Sequence, residues 1–282
     1  MTQTMDKQDQ YVKIIAKEQS LTAKQVQSVI SLIDEGNTVP FIARYRKEMT
    51  GALDEVQIRD IVERWQYIQN LEQRKEEVIR LIEEQGKLTD ELKGSIEKAI
   101  KLQEVEDLYR PYKQKRRTKA TVAKEKGLEP LAQWMVEFPV NGSLEEKARE
   151  FLSEEKGVES IEDAIAGAKD IIAEIVSDDA DSRKWIRNET FKTGSIESSV
   201  KNEEQDEKNV YEMYYEYSEP VSKVVPHRIL ALNRGEKEDL LRVSIKPKAD
   251  VIMSYLQRKW VTKNHSVTAA AVTEAIEDAY KR

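Results

Sequence analysis

The densest charge chemistry in the chain lies between residues 110 and 126. That stretch holds Arg110, Lys113, Lys115, Arg116, Arg117, Lys119, Lys124 and Lys126 against a single acid, Glu125, a local charge of +7. The whole 282-residue chain carries -7, so the other 265 residues sum to -14. Lys and Arg at this density neutralise phosphates and release condensed counterions. Guanidinium groups also pair bidentately with phosphate or carboxylate. Two readings follow. The stretch is a phosphate-binding surface, or it is an internal tie to an acidic surface of the same chain, such as residues 142–180 or 203–219. Residues 142–180 hold twelve acids and four bases. Charge runs are weak evidence of function by themselves, so both readings stay open at this point.

Arg44, Arg46 and Lys47 form a second set of candidate phosphate contacts. They follow a tight Gly36-Asn37 turn that joins two expected helices, the geometry of a helix-turn-helix. Many such pairs are plain helical hairpins, and a recognition helix must offer several exposed side chains to base edges. Here Phe41, Ile42 and Tyr45 are expected in the core, which leaves only the three cations.

Other chemistry is poorly provided for. There is no cysteine, hence no disulfide, thiolate zinc site or cysteine nucleophile. His227 and His265 are 38 residues apart in the sequence, and neither sits in a metal-ligand spacing. No phosphate-binding glycine loop or nucleophile elbow is present. Asp178, Asp179 and Asp181 could be mistaken for a metal cluster, but they are read as a solvated helix face. The reading is therefore a protein that is not an enzyme and needs no cofactor or metal.

The elements that must position the basic stretch are expected to be helical. Apolar residues make up 39% of the chain, enough for a core, and 35% are charged, mostly Glu and Lys, as on helices laced with i,i+4 pairs. Ten Gly and seven Pro are few for a sandwich or barrel of tight turns. Thr22 with Gln25 forms a capping box. Asp54 starts a long helix to about Gln85, whose Glu72–Glu77 segment is expected to be solvated. Pro111 breaks the helix before the basic stretch, and residues 112–120 read as a surface loop. Leu128–Phe138, Ser143–Ser153, Ile161–Val176 and Ser182–Thr193 follow as helices. Texture changes after Gly194, where residues 195–209 are mostly polar. A tyrosine cluster at 211–217, rich in carboxylates, suits core packing better than base stacking. Residues 240–246 hold at most one short strand or hairpin. The fold class is therefore all-α, an assembly of antiparallel helices, divided into a helical domain at 1–194 and a connector at 195–282. No apolar run is long enough to span a membrane, and no secretory leader is expected from the first residues. A cytoplasmic location fits. The last helix reaches Arg282 without a cap, as expected of a chain that continues.

Three long blocks give a more specific signal. Val39-Pro-Phe-Ile-Ala-Arg-Tyr-Arg-Lys-Glu-Met-Thr-Gly-Ala-Leu-Asp-Glu55 is the first. The second runs from Glu106-Asp-Leu-Tyr-Arg-Pro-Tyr-Lys-Gln-Lys-Arg-Arg-Thr-Lys-Ala to Ala123-Lys-Glu-Lys-Gly-Leu-Glu-Pro-Leu131. The third is Tyr217-Ser-Glu-Pro-Val-Ser-Lys with Pro226-His-Arg-Ile-Leu-Ala-Leu-Asn-Arg-Gly-Glu236. In order and spacing these resemble the Tex family of bacterial transcription accessory proteins, across almost the whole chain. The resemblance implies a nucleic-acid-binding protein tied to transcription or RNA metabolism, with RNA or DNA and the transcription machinery as partners. It also implies longer relatives carrying an RNase H-like domain, helix-hairpin-helix motifs and an OB-fold RNA-binding module, none of which lies in these residues. It supplies no catalytic residue here.

Overall fold

A computed structural model describes residues 2–114, 116–202, 206 and 209–282, with side chains from residue 8 onward. Contacts divide the chain into two units, Met1–Glu106 and Asp107–Arg282.

In the first unit, α1 (Thr2–Glu18), α2 (Ala23–Asp34), α3 (Val39–Tyr45) and the one-turn α4 (Lys47–Thr50) pack with the first half of α5 (Glu55–Glu83). The starts of α2 and α5 are fixed by reciprocal caps. Thr22 accepts from Gln25 N while Gln25 accepts from Thr22 N, and Asp54 does the same with Gln57. Each box satisfies two helix-end donors that would otherwise have no partner. The helical spacing of Val26, Val29 and Ile30 on α2 meets Ile58, Ile61 and Trp65 on α5, with Ile42 of α3 fully buried between them. Helix α4 ends at Gly51, whose φ of 68° lies in the left-handed region, which a residue without Cβ adopts freely.

The second half of α5 packs with α6 (Asp90–Lys98). The segment Glu72–Glu77, expected to be solvated, exposes Gln73, Glu76 and Glu77, and the expectation is corrected at Lys75. Lys75 is only 6% exposed. Its ammonium donates to Glu72 Oε1 at 2.7 Å and to Glu97 O at 2.9 Å. The polar run conceals a buried, paired cation at the helix contact. Helix α7 (Leu102–Tyr109) follows.

In the second unit, α11 (Ile161–Asp178) is the central element. It packs against α8 (Lys119–Glu125), α9 (Glu129–Val136), α10 (Leu144–Arg149) and α15 (Ala269–Lys281), while α14 (Ala249–Trp260) packs on α15 and α12 (Ala180–Thr193). The apolar face Ala164, Ala168, Ile171, Ile172 and Val176 lies in this core with Leu131, Met135, Ile252 and Ile276. The helical class expected from the sequence holds. The strand expected near 240–246 is present as β3 (Leu241–Lys246), and it does not stand alone. β1 (Ser195–Val200) is the central strand of an antiparallel sheet of order β2-β1-β3, with β2 (Glu216–Pro220) on its other side. Ser198 faces Tyr217 on one neighbour and Val243 on the other. The tyrosine cluster packs as expected, with Tyr211 and Tyr214 buried beside Leu232 of α13 (Pro226–Lys237), Leu240 and Leu241. Among the described residues, no helix is long and apolar enough to cross a membrane.

Candidate nucleic-acid interface

The basic stretch is laid out by two breaks in the helical backbone. Pro111 lacks an N–H and clashes with a preceding helical turn, so α7 gives way at Arg110–Tyr112 to a single 3-10 turn. Helix resumes at Lys119, where Thr118 accepts from Thr121 N at 3.0 Å as the N-cap. Residues 113–114 and 116–118 lie in neither helix. Lys115 lies outside the described residues.

The flanks of the basic stretch are tied to the last turns of α11. Glu174 and Asp178 are four residues apart and share one face of that helix. Arg110 donates from Nε to Asp178 Oδ1 at 2.9 Å, with the carboxylate 8% exposed. A carboxylate at a helix C-terminus faces the negative end of the macrodipole, so a cation at this place is favourable twice over. The Thr118 hydroxyl donates to Glu174 Oε1 at 3.1 Å, and Lys124 sits 3.7 Å from Glu174 Oε2. Asp178 is therefore corrected from the solvated face expected of it: it is buried and paired. Asp179 is similarly engaged, accepting from Ser182 N as the cap of α12 and from Lys259. Two further cations of the stretch have partners. Lys126 donates to Gly157 O at 2.6 Å. Arg117 meets Glu125 at 2.7 Å, but both side chains are more than half exposed, and such pairs contribute little.

Lys113, Arg116 and Lys119 are different. All three are exposed, and among the described residues none has a carboxylate partner. The structure thus sorts the run by position. Its flanks are anchored to the fold, and its middle presents a strongly hydrated ammonium at each end with a guanidinium between them. This arrangement suits contact with the oxygens of a phosphodiester chain, in which Arg forms paired bonds and Lys acts as a point charge. It carries no device for reading bases, since phosphate contacts position a strand without specifying it.

Arg44, Arg46 and Lys47 cluster in the first unit. Arg44 and Lys47 are exposed and Arg46 is half-buried. Here a second correction applies. Ile42 is core, but Phe41 is 36% exposed and Tyr45 is 60% exposed. Around the helix, positions 41 and 45 lie about 100° and 60° from Ile42, so they flank the buried stripe rather than share it. Sequence reading assigned all three to the core by residue type. The i,i+4 spacing of the two aromatics, with arginines interleaved, was the available signal. The anchoring acids Glu174 and Asp178 fall within residues 142–180, the acidic surface expected to hold such a tie; which of its twelve acids would do so was not readable, because they lie more than 45 residues from the groups they hold.

Comparison with known proteins gives two matches along the chain. Residues 9–83 match the family model for the Tex-like protein N-terminal domain, and residues 141–279 match that for the Tex central region. The basic stretch lies between the two. A Bacillus subtilis protein, uncharacterized protein YdcI, is 64% identical over 270 residues, covering 95% of this chain and 37% of its own length. Transcriptional accessory protein Tex of Neisseria gonorrhoeae is 41% identical over 239 residues, 84% of this chain and 31% of its own. Human S1 RNA-binding domain-containing protein 1 is 29% identical over 241 residues, 83% of this chain and 24% of its own. The chain thus spans between 24% and 37% of the length of these curated relatives.

Proposed function

We propose, since this chain belongs to the Tex family, that it forms the helical platform of a transcription accessory protein and holds nucleic acid without sequence preference, through phosphate contacts of Lys113, Arg116 and Lys119. The observation that carries the reading is the contrast within one basic run. Arg110 and Lys124 are fastened to α11, whereas Lys113, Arg116 and Lys119 are exposed and have no carboxylate partner among the described residues. Cations needed only as internal ties would be expected to resemble the flanks. The names of two relatives, a transcriptional accessory protein and an S1 RNA-binding domain-containing protein, support action in transcription or RNA metabolism, hence in the cytoplasm beside the transcription machinery.

The tied flanks support a scaffolding role for the same segment, which they fix on α11. The test replaces Lys113, Arg116 and Lys119 by Glu and measures binding to duplex DNA and single-stranded RNA alongside thermal unfolding. Exposed substitutions of this kind shift stability by only about 0.5 kcal/mol or less each. The expected result is loss of binding with little change in the unfolding midpoint. Absence of binding in the parent chain at low salt, or a large fall in midpoint, would leave the segment as a scaffold alone.

A further inference from the structure

The short α3 helix carries a surface that phosphate neutralisation does not explain. Phe41 and Tyr45 stand one helical turn apart with ring centroids 5.2 Å apart and planes tilted by 48°. Arginines dress both rings. The Arg46 guanidinium carbon is 5.0 Å from the Phe41 centroid, and that of Arg44 is 6.0 Å from the Tyr45 centroid. Arg46 also donates from Nη1 to Tyr45 O at 3.2 Å. Among the described residues, Arg44, Arg46 and Lys47 form no ion pair, although exposed Glu48 is adjacent in sequence.

The hydroxyl of Tyr45 has no hydrogen-bond partner among the described residues. By contrast, Tyr211, Tyr215 and Tyr217 donate to Glu238, Asp206 and Glu219, and Tyr67 accepts from Leu102 N. Single exposed apolar side chains are ordinary on a protein surface; what sets this place apart is two aromatic rings in contact with each other and with two arginines. Flat faces alternating with unpaired cations match one ligand chemistry well. Unpaired nucleobases stack on aromatic rings and on guanidinium planes, and the adjoining phosphates meet the cations. A protein partner that used the rings would also have to supply acids for three cations within four residues.

We infer that Phe41, Tyr45 and Arg46 form a stacking platform for unpaired bases of single-stranded nucleic acid, with Arg44 and Lys47 contacting the flanking phosphates. The inference rests on the nucleic-acid reading above but uses a different site, so the two fail separately. The test uses the 282-residue chain and two oligonucleotides of equal length, oligo(dT) and its abasic analogue, which has the same phosphates and no bases. Tyr45→Ala should weaken oligo(dT) binding about tenfold, the loss of one stacked base, and leave abasic binding unchanged. Tyr45→Trp should retain oligo(dT) binding, which separates ring chemistry from disturbed folding. The Lys113, Arg116 and Lys119 variant should weaken both ligands alike. Equal parent affinity for the two oligonucleotides, unchanged oligo(dT) binding by Tyr45→Ala, or loss that Tyr45→Trp does not restore would each overturn the stacking platform and return this face to protein contact.

Discussion

Asp107 shows what one residue does for the second unit. It is 3% exposed and receives Nε of Arg183 at 3.1 Å and Nη2 of Arg187 at 2.5 Å, both from α12. A buried carboxylate is tolerable only when its charge is met and its lone pairs are filled. Removing the acid leaves two partly buried guanidinium groups unmatched. Asp107→Ala should therefore cost about 3 kcal/mol, lowering the unfolding midpoint of the Asp107–Arg282 unit by about 10 °C. Calorimetry checks this, with Asp107→Asn expected to lie between the variant and the parent. Such a residue was not legible in the sequence as an anchor. Asp107 sits in a block where only Arg110 onward attracts notice by charge, and its partners lie more than 70 residues away. The charge of the 110–126 run was legible at once. Which of its members would be free was not, because that depends on where α11 ends in space.

At the scale of elements, two glycines in helices make opposite predictions. Alanine is favoured over glycine in a helix interior by about 1 kcal/mol. Gly94 of α6 has open space where a Cβ would stand, so Gly94→Ala should stabilise by about 0.5–1 kcal/mol. Gly167 of α11 faces Leu128 and Ala123, and a Cβ there would overlap Leu128 Cδ1. Overpacking outweighs propensity, and Gly167→Ala should destabilise by about 1–3 kcal/mol. Urea midpoints of the two variants test both signs. The start of α12 adds a pH prediction. Burial raises the affinity of Asp179 for a proton, but hydrogen bonds from Lys259 and Ser182 outweigh it, and the carboxyl titrates below its ordinary 3.8. A depressed folded pKa contributes stability that is complete above about pH 4 and disappears as the pH falls below it. Asp179→Asn keeps the cap but loses the ion pair, so its stability should fall less steeply in that acid window. Urea titrations from pH 5 to pH 2 measure this. Helices were the legible elements, since caps and apolar spacing are local. β1 was not, because Ser195–Val200 holds only two large apolar residues and gains its structure from partners some 20 and 45 residues later.

For the whole molecule, the governing fact is a +7 segment in a chain of net -7. An acidic chain repels a polyanion at long range, so any grip on nucleic acid must be local and salt-sensitive. The structure divides that segment into anchored flanks and an exposed middle, and it sets the aromatic–arginine face of α3 within the other unit. The Tex relationship was legible from three long sequence blocks, while the exposed stance of Phe41 and Tyr45 was hidden by residue type. The central claim is that Lys113, Arg116 and Lys119 touch phosphates. Its most direct measurement is the slope of log affinity for duplex DNA against log salt, for the parent chain and for a variant with all three changed to Gln. If each makes one contact, the slope should become shallower by about 2.7, at about 0.9 per contact. The same slope in both proteins would contradict the account.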